Sequence, residues 1–272
     1  MERIHKALEK ARHQRKDNVN VGNRTRINKP GYAKKAPVQD IKYTETQTIN
    51  VSDEALKESR IVAHLNDNLA ADLFKILRTK VLQRMSANRW NVLAVTSPTA
   101  GAGKSLTAIN LAISLAMEAN HSVLLADLDF RRPSIHQYFG ISPDKGLVDY
   151  FSHDIPLNEL FIHPGIERLV LLPAGHSIHH SSELLSTPKM LNLADELKNR
   201  YPDRLIIVDL PPLLQSDDAM VFLPNADACL LVVAEGFNTS EEIERSLQLI
   251  DEKKYLGSVL NKSDEIWSPS YY

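Results

Sequence analysis

The sequence predicts an α/β fold of the P-loop NTPase type: a mostly parallel β-sheet covered by helices on both faces, behind a helical and partly disordered N-terminal extension. Three observations predict it. From Trp90 onward the apolar runs "WNVLAVTS", "HSVLLAD", "RLVLLPAG", "RLIIVDLPP", "ACLLVVAEG" and "LGSVLN" alternate with helical patterns, as chained βα units do. The runs are apolar almost throughout, which strands covered on both faces require. The first of them leads into "SPTAGAGKS", the ending of a phosphate loop.

The elements follow in order. Ile4, Ala7, Leu8 and Ala11 share one helical face among Lys and Arg residues, a helix too short to persist without a partner or a membrane surface. Residues 17 to 52 are polar, carry the breakers of "NKPGYAKKAPVQ" and show no apolar period, so they read as a linker. The first 50 residues hold 12 Lys/Arg against 5 Asp/Glu and the remainder 20 against 29. Such a basic arm could touch nucleic acid, anionic lipid or an acidic partner. Order is expected from Glu58. In "NLAADLFKILRTKVLQRM", Leu69, Leu73, Ile76, Leu77 and Val81 form an apolar stripe beside a charged one of Asp72, Lys75 and Arg78, an amphipathic helix. The expected organisation is a basic helix and arm over 1–57, a helical lead-in over 58–89, a nucleotide-binding domain over 90–264 and a tail over 265–272.

A single cysteine, Cys229, lies inside "ACLLVVA" and reads as a core residue, with no disulfide or zinc framework. No apolar run approaches the roughly 18–20 residues of a bilayer span, and the charged N-terminus does not resemble a secretory signal. A cytoplasmic protein is expected.

Three strand-end motifs carry the chemistry. In the first, Gly103, Lys104 and Ser105 match the phosphate-loop pattern while Pro98 replaces its leading glycine. Gly101 and Gly103 let the backbone curl so that its N–H groups face a phosphate, and the following helix adds its positive end. Lys104 would reach the β- and γ-phosphates, and the Ser105 hydroxyl would bind Mg²⁺. In the second, "VLLADLDFRRP", Asp127 and Asp129 stand two apart at a strand end. If extended, both face one way, where they could hold a hard cation or take a proton. In the third, "LIIVDLPP", Asp209 closes a strand as a Walker B carboxylate beside Mg²⁺ does.

The order "SPTAGAGKS", "LLADLDFRRPS", "LPAG", "ELL", "IIVDLPP", "SDDA" and "VLN" resembles the bacterial tyrosine autokinases of capsule and exopolysaccharide assembly. The resemblance runs from Glu58 to Asn261, and "ALEKA" at the start resembles the subgroup of exosortase-associated loci. It implies ATP and Mg²⁺ as cofactors and phosphoryl transfer to tyrosine, with Lys104, Asp127, Asp129 and Asp209 catalytic. It implies nucleotide contacts from Gly101, Ala102, Gly103, Lys104, Ser105, Leu106, Arg131 and Asn261, and metal contacts from Ser105, Asp127 and Asp209. Pro98 is expected in this family. So are acceptor tyrosines in the tail, here Tyr271 and Tyr272, with Tyr32 and Tyr43 secondary, modified between subunits of a homo-oligomeric ring. The ring would form through Asp72, Lys75 and Arg78, in place of Glu, Arg and Arg; Lys lacks the planar fork of Arg. An inner-membrane polysaccharide co-polymerase would activate the chain and recruit it to the membrane's inner face, a tyrosine phosphatase would reverse the modification, and no nucleic acid is expected.

Rival readings remain at this point. A MinD- or ParA-like ATPase switch carries a signature lysine where Thr99 stands. A GTPase would use "NKSD" at Asn261 to Asp264 to read guanine. A non-catalytic ATP-binding scaffold would not need the full set of acids. "HSIHH", with His176, His179 and His180, is expected to be a loop rather than a metal site.

Overall fold

The computed structural model describes residues 46–201 and 203–263. Its sheet holds eight strands, β1 (Gln47–Thr48), β2 (Val92–Thr96), β3 (Ser122–Asp127), β4 (Ile162–His163), β5 (Leu169–Leu172), β6 (Arg204–Asp209), β7 (Ala228–Ala234) and β8 (Tyr255–Asn261). They lie in the order β1-β4-β5-β3-β6-β2-β7-β8. Pairs from β5 to β8 are parallel, while β4 runs antiparallel to β5 and β1 parallel to β4. The six apolar runs are thus the six parallel strands.

Continuous apolarity in the strands is explained by two cores. Leu93 and Val95 of β2 face one cluster, and Val92 and Ala94 the other. Helices α1 (Asp53–Glu58), α2 (Leu69–Asn88) and α3 (Lys104–Ala116) cover the first face, the last through Ile109, Ile113 and Ala116. On the second face lie α5 (Leu147–His153), α6 (Ser181–Leu185), α7 (Pro188–Arg200) and α8 (Asp218–Phe222), with α9 (Ser240–Leu249) lending Ile243 and Leu247. Cys229 is fully buried in β7, where desolvation pushes its thiol up to about 12.

Two sequence expectations are corrected. The arm and linker do not extend to residue 57: Gln47 and Thr48 pair with Ile162 and His163, and Ser52 caps α1 by accepting from the Ala55 amide. Two-residue strands and a six-residue helix are too short to produce a legible period. The apolar stripe of α2 is also displaced. Val81 is fully buried and Leu77 packs against the core as expected, but Leu69, Leu73 and Ile76 are 45%, 42% and 36% exposed, and Ala71, Phe74 and Met85 take their place on the covered face. Arg78 donates to the Ser114 carbonyl of α3, which turns the helix so that Phe74, Val81 and Met85 meet the core. The N-terminal helix, the basic arm with Tyr32 and Tyr43, and the tail with Tyr271 and Tyr272 lie outside the described residues.

One polar residue ties the lead-in to the parallel-sheet core. Asn110, in the middle of α3, is 1% exposed. Its Oδ1 accepts from the Val62 and Ala63 amides at 2.8 and 3.0 Å, and its Nδ2 donates to the Leu106 and Arg60 carbonyls at 3.0 and 3.3 Å. Apolar replacement orphans buried amides. Asn110→Leu is expected to cost about 2–4 kcal/mol, a drop of roughly 5–12 °C in thermal midpoint; an unchanged midpoint would show that the amide network contributes nothing net.

Candidate active site

The three strand-end motifs meet because their strands are neighbours. β2 lies beside β6, and β6 beside β3, with Asp127 directly opposite Asp209 in register. All three strands end at one edge, the edge where open parallel sheets place ligands.

The loop after β2 is shaped by its glycines. Gly101 and Gly103 have φ of 84° and 92°, values that favour glycine. A Cβ on Gly103 would lie 2.2 Å from Asn261 Nδ2. That nitrogen donates to the Ala102 carbonyl at 2.8 Å, so Asn261 clamps the loop from the end of β8. The amides of Gly101, Ala102 and Gly103 donate to no other described residue, which leaves them for an anion. Gln215 and Asn238 are further clamps that sequence reading missed. Gln215 accepts from the Ala100 amide, and Asn238 donates to Thr99 Oγ1 while accepting from Ala234. Neither has a motif around it; only the fold brings it to the loop.

Lys104 opens α3 and turns back into the acids. Its Nζ lies 2.8 Å from Asp129, 3.5 Å from Asp209 and 3.2 Å from Ser105 Oγ. Burial works against its charge, but Asp209 and Asp129 together outweigh it and hold the ammonium well above its usual range. The three carboxylates have different surroundings. Asp127 accepts from the amides of Asp129, Ser134 and Ile135 at 2.9–3.1 Å, fixing the start of α4 (Ile135–Tyr138). Burial and the Asp209 charge still push it up to about 7. Asp209 is also raised, by burial first, against the pull of Lys104. Its two oxygens are buried without a well-formed hydrogen bond. Asp129 alone of the three lines the open cleft, with Lys104, Ser105 and Leu106.

Strand alternation does not explain how Asp127 and Asp129 come together, because β3 ends at Asp127. The chain turns there when Asp127 Oδ1 captures the Asp129 amide, and Lys104 then collects Asp129. Arg131 lines the cleft with Lys104, and neighbouring acids hold it there. Its guanidinium is bonded to Ser181, Asp217 and Asp218, and the Ser181 hydroxyl donates to buried Asp218. Ser181, just ahead of "ELL", and the "SDDA" motif thus hold Arg131 at the cleft wall. Of the charged stripe on α2, Lys75 pairs with Asp72 at 2.9 Å, while Arg78 is spent on the Ser114 carbonyl and Glu118. His176, His179 and His180 stand exposed in the loop before α6, His180 facing Glu183 at 3.7 Å.

The residues fit a hard divalent cation. The orphaned Asp209 oxygens, the Asp127 carboxylate opposite them and the Ser105 hydroxyl are oxygen donors of the kind Mg²⁺ takes, with phosphate oxygens filling its remaining positions. Among the described residues, no group of three or more His, Cys, Asp or Glu side chains is arranged to hold a metal unaided.

A family model described as "AAA domain" matches residues 90–262. The chain is 31% identical over 194 residues to the tyrosine-protein kinase etk of Escherichia coli K12, covering 71% of this chain and 26% of that protein. It is 33% identical over 217 residues to the succinoglycan biosynthesis transport protein ExoP of Rhizobium meliloti, covering 76% and 26%. It therefore spans about a quarter of the length of each. The crystal structure of the chimerical protein CapA2B2 superposes with a TM-score of 0.69 at 29% identity, over 80% of this chain and 94% of that one. With its phosphate loop, paired acids and parallel sheet in place, the chain belongs to the AAA-domain family of P-loop proteins, in the branch of bacterial tyrosine kinases of capsule and exopolysaccharide biosynthesis.

Proposed function

We propose that this chain is an ATP-dependent protein tyrosine kinase that phosphorylates Tyr271 and Tyr272 of a neighbouring copy and regulates exopolysaccharide or capsule assembly. The observation that carries the reading is Lys104, held between Asp129 and Asp209 at the mouth of a phosphate loop. A non-catalytic scaffold would have no use for that array. Thr99, where the ATPase switches carry a lysine, is bound to Asn238.

Each residue then has a task. The loop amides and Lys104 hold the β- and γ-phosphates, and Ser105, Asp127 and Asp209 hold Mg²⁺, which when bound neutralises charge building between those phosphates. Lys104, drawn onto the γ-phosphate, releases Asp129. Asp129 faces the cleft, so it is the carboxylate that meets an incoming tyrosine. A phenol has a pKa of about 10, and Asp129 takes its proton as the phenolate oxygen bonds to the γ-phosphorus and ADP leaves. Asp127, pinned by three amides, positions rather than transfers.

The assembly reading rests on the resemblance and on α2. Its exposed Leu69, Leu73 and Ile76 beside Asp72 and Lys75 suit a contact between copies, within a homo-oligomer recruited to the membrane by a co-polymerase partner and reset by a phosphatase. Among the described residues no helix is long and apolar enough to cross a membrane. Incubation with labelled ATP followed by phosphopeptide mapping should find label at Tyr271 and Tyr272, and Tyr→Phe at both should remove most of it. Label that persists in the double variant would place the acceptor elsewhere, with Tyr32 and Tyr43 next to be replaced.

A further inference from the structure

The geometry points to Arg60, in the lead-in segment ahead of α2, as an additional nucleotide-binding residue that meets the α-phosphate. The inference rests on the proposed ATP site and adds a contact that none of the strand-end motifs contains.

Three observations converge on it. Glu58, Ser59 and Arg60 line the same cleft as Lys104, Ser105 and Leu106. Asn110 Nδ2 donates at once to the carbonyls of Arg60 and Leu106, so the Arg60 backbone is fixed beside the first turn of α3. Lys104, and Ser105 through Mg²⁺, serve the β- and γ-phosphates, which leaves the next residue of the turn, cleft-lining Leu106, toward the α-phosphate of a bound nucleotide. The side chain is also unspent. Arg60 is exposed, and among the described residues its guanidinium has no hydrogen bond and no ion pair, not even with Glu58 on the same wall.

The backbone at Arg60 is what makes its replacement informative. Arg60 follows the cap of α1 with φ 59°, a place where glycine is the unstrained choice. Buried Leu56, Ile61 and Ala63 on either side, together with the Ile61 amide donating to the Leu56 carbonyl at 2.8 Å, hold it there. The same conformation closes other helices at Arg89 and Asp154, so it is an ordinary helix stop and serves here only to choose the substitution. Arg60→Gly therefore removes the strain and the guanidinium together, and the two roles give opposite signs.

The test is binding of Mg²⁺-ADP and Mg²⁺-ATP to the full chain, by calorimetry, with thermal midpoints measured without nucleotide. For Arg60→Gly the expected result is a midpoint equal to or above that of the wild type, with affinity for ADP and ATP lowered alike by about tenfold, as for loss of a charge-assisted hydrogen bond. Arg60→Lys should recover part of the loss. Affinity within twofold of wild type, while Lys104→Met loses ATP, would overturn the inference and leave the kinase reading standing. A loss confined to ATP would overturn the α-phosphate assignment, and a lowered midpoint would show Arg60 to be structural. Wild-type protein that binds neither nucleotide would sink both proposals.

Discussion

Replacing Lys104 with methionine is expected to abolish phosphotyrosine formation, by about 10²–10³-fold or more, because the cation that the described residues place among three buried acids is the one that must meet the γ-phosphate. The same change should destabilise the free protein in a pH-dependent way. Asp127 and Asp209 titrate above their ordinary range, so between about pH 4 and pH 7 the folded chain keeps protons that the unfolded chain has released. Their contribution to stability therefore falls as pH rises through that window. Lys104, held above its usual value, stays charged across the range and offsets the carboxylates. Without it, stability should drop by about 2 kcal/mol at pH 8, roughly 4–8 °C, and by less at pH 5, where protonation relieves the repulsion. Thermal midpoints at the two pH values, beside phosphotyrosine immunoblots, check both parts; equal losses at pH 5 and pH 8 would contradict the electrostatic account.

Asp209→Asn should move stability the other way. The carboxylate is fully buried, makes no well-formed hydrogen bond and faces Asp127 across the β3–β6 ladder. A neutral amide of the same shape removes the desolvated charge while Lys104 keeps Asp129. The free protein is expected to gain about 1–2 kcal/mol at pH 8, roughly 3–6 °C, with the gain shrinking toward pH 5. Phosphotransfer should fall by about 10²–10³-fold, because a Mg²⁺ donor is lost. Greater stability with less activity is the signature of a residue retained for chemistry. A lower midpoint at pH 8 would mean instead that Asp209 is a net stabilising partner of Lys104.

Much of the candidate nucleotide site was legible in advance because a phosphate loop and its acids are local patterns. Gly101 to Ser105, Asp127 and Asp209 each sit where a strand gives way to a turn, and an unbroken apolar run marks that end. Asn261 was legible too, but its task was not: it fills the space left by the missing Cβ of Gly103 rather than standing free for a base. Arg131 was legible as a cleft residue, but its anchors were not: Asp217 and Asp218 hold it from some eighty-six residues away in sequence. A charged side chain takes the partner that folding delivers, and spacing does not encode that partner.

By itself the sequence determined the class of fold, the six parallel strands and the burial of Cys229, and it named the candidate residues for phosphate and Mg²⁺, because strand periodicity and loop chemistry act over a few neighbouring residues. Tertiary structure alone decided which face of α2 is buried, that residues 47 and 48 extend the sheet, and that Asp129 and not Asp127 faces the cleft. It also brought Gln215 and Asn238 to the loop, and Arg60 to the cleft beside the first turn of α3 through Asn110. Those outcomes depend on contacts between segments far apart in the chain, whose energies are settled only when the sheet and its two cores assemble.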